Sequence, residues 1–271
     1  MALPRYYSKE TLQKIREERE RIQGKANSLM MQFVGYRFAN EQAGEYARHG
    51  FARRIQVLAR CINNVFKGVP AGTVRVPKRE RLLDASINLQ AFYTNAYGCI
   101  DNLAWVWVHE SGLTTQVKRG DVGLRKNNAK VRATFSPELQ AFLGTRDNWF
   151  EYFAEFRHAL GHRIPLYIPP GCVRPKDAEA FNELERRLGA AMAAINEDEH
   201  DRLLEEQKKL YIFQPITTHS FKEASGTIRF HQQVLADFLT VEELALKMLE
   251  ELRRYHASKI PQRRILRLPD I

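Results

Sequence analysis

The sequence is poor in cysteine. Cys61, Cys99 and Cys172 are the three in 271 residues, and they lie far apart. No disulfide framework and no Cys-x-x-Cys zinc site can be built from them, and a reducing, cytoplasmic setting is expected. Long apolar runs are missing as well. None exceeds six residues, as at Leu103 to Val108, whereas a membrane helix needs ~20, so no membrane partner is expected. The opening MALPRYYSKE passes straight into a charged amphipathic segment, which predicts no secretory leader. No glycine-rich loop follows a strand, and strands do not alternate with helices, which argues against P-loop and Rossmann enzymes. Repeats and low-complexity tracts are absent. Acids are in deficit, 32 against 42 Lys plus Arg, for a formal charge of +10. That balance favours a polyanionic partner and says nothing of the fold.

What is present is helical periodicity. With 44% hydrophobic and 27% charged residues the chain can bury a core. Ser8 can cap a helix carrying Leu12, Ile15, Ile22, Ala26, Leu29 and Phe33 at spacings of three and four. A second stripe, Ala47 to Val65, ends at Gly68, Pro70 and Gly72. A third runs Ala85, Leu89, Phe92, Ala96, Cys99, Leu103, Val106 and predicts a long helix over about Pro77 to Glu110. Residues 111–135 show no periodicity and read as a mobile, structureless basic loop. Ser136-Pro137 reads as a cap with proline at the first helical position, and Asp147 as the cap of a further helix. The stretch Ile164 to Pro170 must be extended because of its prolines. Phe181, Leu184, Leu188, Ala191 and Ile195 mark another helix. Tyr211 to Ile216 and Thr227 to Phe230 are expected to pair as a hairpin. Thr240 and Glu243 fit a capping box ahead of a last helix. The expected fold is a single, mainly all-α domain over 1–271, an up-and-down helical bundle with extra helices, a minor β-hairpin and a basic tail over 256–271.

The chemistry concentrates in Asn148 to Pro170, NWFEYFAEFRHALGHRIPLYIPP. On a helix, Trp149, Phe153, Phe156 and Leu160 form one face, and Glu151, Glu155, His158 and His162 an opposite stripe. Arg157 lies between them. Five residues is about 140° of helical rotation, so Arg157 and His162 do not stack, although a long arginine can meet a histidine on one phosphate. Metal-free RNA cleavage needs a base for the 2′-OH proton and a cation for the charged phosphorane. Histidine suits the first role and arginine, with its planar fork, the second. The same residues also suit a plain helix end, where cations favour the macrodipole.

Arg157-His158-Ala159-Leu160-Gly161-His162 resembles the signature of the HEPN superfamily, Arg, a polar residue (often Asn, Asp or His), three others, then His. The resemblance extends loosely to a clade of bacterial proteins sharing the RIPLYIPP-like extension and the HQQVLADF-like segment. It implies an all-helical domain with the motif at the end of a bundle helix. It implies a metal-independent endoribonuclease without cofactor, in a bacterial defence, toxin or stress role, with two protomers bringing their motifs to one cleft. Arg157 and His162 are then catalytic, His158 orients phosphate or base, and Asp101 or Asn102 supports a catalytic side chain. A regulatory partner protein is a further implication. In one subset of the family an antitoxin modifies a tyrosine two residues past the histidine. Here that position is Ile164, so this control does not carry over.

Other features carry two readings. Asn88, Asn95, Asn102 and His109 recur every seven residues. Asn88 and His109 read best as a solvated face, while Asp101 and Asn102 fit that face or a cleft equally. Glu155-x-x-His158 and Glu197-x-x-His200 have the form of a di-iron motif, but the second lies in an acid run and partner glutamates are lacking, so no metal is expected. Lys118, Arg119, Arg125, Lys126, Lys130 and Arg132, facing the single acid Asp121, suit RNA backbone binding. The alternative to an enzyme is a non-catalytic HEPN-type module that holds RNA or a nucleotide or scaffolds a complex.

Overall fold

The computed structural model describes residues 6–220 and 226–259. It is mainly helical, with two small antiparallel strand pairs. Helix α1 (Lys9–Gly35) starts behind Ser8, whose Oγ accepts from the Thr11 amide at 3.1 Å. Helix α2 (Glu41–Glu45) is capped by the Asn40 side chain and runs through a π-helical turn, Tyr46–Phe51, into α3 (Ala52–Gly68). Helix α4 spans Arg79–Glu110. After it come α5 (Ala129–Arg132), α6 (Pro137–Thr145, capped by Ser136) and α7 (Asp147–His162). The short strand β1 (Cys172–Val173) precedes α8 (Ala178–Ala193) and α9 (Glu197–Lys208). Strands β2 (Tyr211–Ile212), β3 (Ile216–Thr217) and β4 (Ile228–Arg229) lead into α10 (Phe230–Lys259).

The chain groups into two compact units, each drawn from three stretches. One comprises Met1–Ile22, Ala59–Tyr93 and His158–Ala236; the other comprises Gln23–Leu58, Thr94–Arg157 and Asp237–Ile271. In the first unit Ile15, Ile22, Val65, Phe92, Leu166 and Phe230 are buried. Leu184, Ala191 and Leu203 form a core of their own between α8 and α9, joined by Leu188 and Leu210. The extended stretch after α7 alternates, with Leu166 and Ile168 buried and Tyr167 half-open. Its backbone is satisfied by side chains: Gln90 donates to the Leu166 carbonyl at 2.7 Å and Ser86 accepts from the Ile168 amide at 3.2 Å. In the second unit Phe33, Phe51, Ile55, Leu103, Trp107, Phe153 and Phe238 are buried.

Several expectations need correction. The hairpin is shorter than its sequence suggests. Ile216 and Thr217 pair with Arg229 and Ile228, while Tyr211 and Ile212 pair with Val173 and Cys172 instead. Thr240 and Glu243 do not begin a helix, because Phe230, Val234, Phe238, Val241, Ala245 and Met248 keep helical spacing without a break, and α10 runs straight through. Of the expected α7 face, Phe153 and Phe156 are buried, but Trp149 and Leu160 are half-buried and Phe150 and Ala159 are buried beside them, so the face is rotated slightly. Residues 111–135 are not structureless. They hold 3-10 turns at Leu113–Thr115 and Arg119–Asp121 as well as α5, with Val117, Leu124, Val131 and Phe135 buried. Single turns are too short to display a 3.6-residue period. The tail residues Arg263, Arg264 and Arg267 lie outside the described residues.

Ile195, read as part of the apolar face of α8, lies past its end, 84% exposed and at φ 51°. It occupies the left-handed position of a Schellman turn: its amide bonds the Met192 carbonyl at 3.1 Å and the Asn196 amide bonds Ala191 at 3.0 Å. A β-branched residue is strained there, by roughly 1–3 kcal/mol. Ile195→Gly is therefore expected to raise the unfolding free energy by about 1 kcal/mol, read as a higher urea midpoint.

Candidate functional site

Within the second unit, α4, the 111–135 segment and α7 enclose a cavity of about 320 Å³. Helix α4 contributes Tyr97, Asp101 and Trp105, which at four-residue spacing fall on one face. The segment between helices contributes Arg119 and Arg125, and α7 contributes Phe150, Phe153 and Arg157. The charged groups of the lining are thus three arginines and one aspartate. The Arg157 guanidinium lies over the Tyr97 ring, 5.0 Å from its centre, which orients the cation. Burial pushes the Asp101 carboxyl above its ordinary range, while Arg157, Arg125 and Arg54 pull the other way. The Tyr97 hydroxyl is raised by burial and then by the charge of Asp101.

The rotation of α4 that presents this face is fixed from behind. Arg54 on α3 donates through Nε to Asn102 Oδ1 at 3.1 Å and through Nη1 to Asn95 Oδ1 at 3.0 Å. Any Cβ at Gly50, in the π-helical turn, would strike the Asn102 amide, and one at Gly98 would strike Arg54. Asn102 is thus not a lining residue. It anchors Arg54, whose charge acts on Asp101 from the far side. His109 and Asn88, read as a solvated face, are half-buried and engaged. His109 and Trp105 stack with Tyr46, at 5.3 and 5.6 Å, and Asn88 accepts from Asn64 at 2.9 Å.

The wall formed by residues 119–128 is shaped by a buried asparagine. Asn128 Oδ1 accepts from the Arg125 amide at 3.2 Å and its Nδ2 donates to the Asp121 carbonyl at 3.0 Å. Gly123 packs so closely on this amide that a side chain there would collide with it. Arg132 closes the segment. Its Nε donates to the Leu124 carbonyl at 2.9 Å, and its Nη2 to the Leu143 carbonyl at 2.9 Å and Asp147 Oδ1 at 2.7 Å. The six cations expected to act alike therefore divide. Arg119 and Arg125 line the cavity, Lys118, Lys126 and Lys130 are exposed, and Arg132 is engaged in holding the wall.

Of the Arg-x4-His motif, Arg157 reaches the cavity lining. The boundary between the compact units falls just after it. His158 and His162 are exposed on α7, one turn apart, with ring centres at 6.3 Å. Glu151 and Glu155 are exposed on the same helix, as the polar stripe predicts. Among the described residues no group of three His, Cys, Asp or Glu side chains is placed to hold a metal. Sequence reasoning missed Tyr97, Trp105 and Arg54. The four-residue spacing of Tyr97 and Trp105 about Asp101 was the available signal for two of them, while Arg54 carries none.

Arg132 is 13% and Asp147 25% exposed, so breaking their pair strands a largely buried charge. Arg132→Ala should lower the unfolding free energy by about 2–3 kcal/mol. Lys126→Ala and Lys130→Ala should stay within about 0.5 kcal/mol. Urea denaturation of the three variants checks the division. The chain matches no protein-family model, no curated protein and no solved structure, so the chemistry of the cavity has to speak for itself.

Proposed function

We propose that the protein is a metal-independent endoribonuclease that cuts RNA through its 2′-OH and acts as a homodimer in a bacterial defence, toxin or stress role. One observation carries the reading. Residues chosen from sequence for three different tasks, Arg157 for the phosphorane, Asp101 for support, and Arg119 and Arg125 for the backbone, line the same cavity. The resemblance of Arg157 to His162 to the HEPN signature adds the base. In this reading Arg157, held over Tyr97, takes the non-bridging phosphate oxygens. His162 accepts the 2′-OH proton, O2′ bonds to phosphorus as the bond to O5′ breaks, and the leaving O5′ takes up a proton from water. His158 positions the phosphate or base. The products carry a cyclic phosphate and a 5′-hydroxyl.

A second reading, a module that holds RNA or a nucleotide without cutting it, is favoured by one feature. The residues lining the cavity include aromatics and cations but no histidine. Incubation of RNA with the purified chain in EDTA separates the two. Cleavage is expected, with His162→Ala and Arg157→Ala each slower by at least about a hundredfold and both variants folded. A substrate 2′-deoxy at the cut site should be inert. Cutting of the deoxy substrate, or full activity in His162→Ala, would remove the mechanism, and no cleavage at all would leave the binding module.

Asp101 gives a pH dependence whose sign is fixed. Its ionised carboxylate opposes a bound phosphate. As pH falls through its raised pKa the carboxyl protonates and the cavity gains one positive charge. Affinity for a short single-stranded RNA should therefore rise on acidification. At neutral pH Asp101→Asn should bind about fivefold tighter, equivalent to about 1 kcal/mol. The two affinities should converge as pH falls. The measurement uses His162→Ala as background so that binding is read without turnover.

A further inference from the structure

The first unit holds a second concavity of different chemistry, about 880 Å³ in volume. That lies within the ~300–1,000 Å³ range of sites for small organic ligands. One wall is the amino-terminal part of α4, with Leu82 and Leu83; the facing wall is the extended stretch Pro165 to Pro170; the end of α9 and Tyr211 close a third side.

Two features make the interior apolar. Prolines 165 and 170 bring no N–H. Three uncharged polar side chains of the lining are already used: Ser86 holds the Ile168 amide, Gln90 holds the Leu166 carbonyl, and Gln207 donates to Glu185. An occupant thus finds carbon and few vacant hydrogen-bonding groups. Several of the apolar walls are open to solvent, Leu83 at 59%, Val76 at 40% and Tyr167 at 37%. Gathered around one concavity they form a contiguous apolar patch, the kind that marks a binding site.

The charge of the lining is one-sided. Arg79 and Lys208 are its charged residues, and no acid is among them. Arg79 has no ion-pair partner among the described residues. Among the described residues Lys208 pairs with Glu205, in a surface pair at 2.6 Å with both side chains more than half exposed, which holds it weakly.

We infer that this concavity binds a dissolved amphipathic monoanion, a medium-chain carboxylate, with its alkyl chain along Leu82, Leu83 and Tyr167 and its carboxylate between Arg79 and Lys208. The site is separate in residues from the cavity proposed for RNA, so its test does not depend on cleavage.

The test is calorimetric titration of the full chain with decanoate and, in parallel, with decanol. Decanoate should bind saturably, one to one, and at least about tenfold tighter than decanol, the difference a charge-assisted pair supplies. Arg79→Gln with Lys208→Gln should remove that difference and leave decanol unchanged. Leu83 is exposed, so Leu83→Asp should keep the helical circular dichroism of the parent while weakening both ligands at least about tenfold. The inference is overturned if decanoate gives no saturable heat, if decanol binds as tightly, or if a folded Leu83→Asp binds like the parent. It is overturned equally if Leu83→Asp dissociates a dimer seen by sedimentation, since a second copy then occupies the site.

Discussion

Helix α4 can present only one face to the cavity, and a polar seam decides which. Arg54 is half-buried and donates to both Asn95 and Asn102, two turns apart on α4. Hydrogen bonds from a charged donor contribute about 1.5–3 kcal/mol, and a guanidinium deprived of its acceptors in a half-buried place costs more than the bonds contribute. Rolling α4 by one residue would break both bonds and drive Asn102 out of the space that Gly50 leaves for it. With that roll forbidden, Tyr97, Asp101 and Trp105 have nowhere to point but inward. The placement of Asp101 near Arg157 and Arg125 follows from a contact made on the opposite side of the helix.

The cavity's second wall obeys the same rule by other means. Residues 119–128 have too few apolar side chains to be held by packing. Their shape comes from one buried amide, Asn128, that spans two backbone groups, and from Arg132, which spends three donors on Leu124, Leu143 and Asp147. A basic residue can therefore serve the site without facing it. Arg119 and Arg125 stay directed at the cavity because Arg132 does not.

Much of the helical frame was legible because helices announce themselves by period and cap. Ser8, Ser136 and the stripes of α1, α4 and α7 all marked elements that exist. The failures have a common physical origin. The capping box at Thr240 is locally sound, but a cap is worth about 1 kcal/mol, and an unbroken apolar face from Phe230 to Met248 outweighs it. Ile195 fits the apolar spacing of α8 but sits where the chain reverses, because α9 must fold back to cover Leu184 and Ala191. For the cavity, Asp101, Arg119, Arg125 and Arg157 were legible as charge and motif. The roles of Asn102 and Arg132 were not, since a sequence shows which groups can bond and not which bonds are already made. The heptad Asn95, Asn102, His109 was visible, yet its partners Arg54 and Tyr46 lie more than forty residues away.

That distinction bears on what the net charge means. A formal +10 draws any polyanion to the surface and distinguishes none of them. Several cations of the second unit are answered at short range: Lys25 by Glu242, Arg132 by Asp147, Arg146 by Glu243 and Arg254 by Glu138. In the cavity the pattern is reversed, three arginines facing one carboxyl that burial makes reluctant to ionise. A phosphate entering there meets cations not yet neutralised, one of them stacked on Tyr97 and so already ordered. Such a group loses little freedom on binding, and under the proposed function that pre-ordering would serve a charge that grows as a phosphorane forms. The same pre-ordering is missing from the exposed lysines 118, 126 and 130, so under the proposed function they would lengthen the stay of an RNA strand without distinguishing its transition state from its ground state.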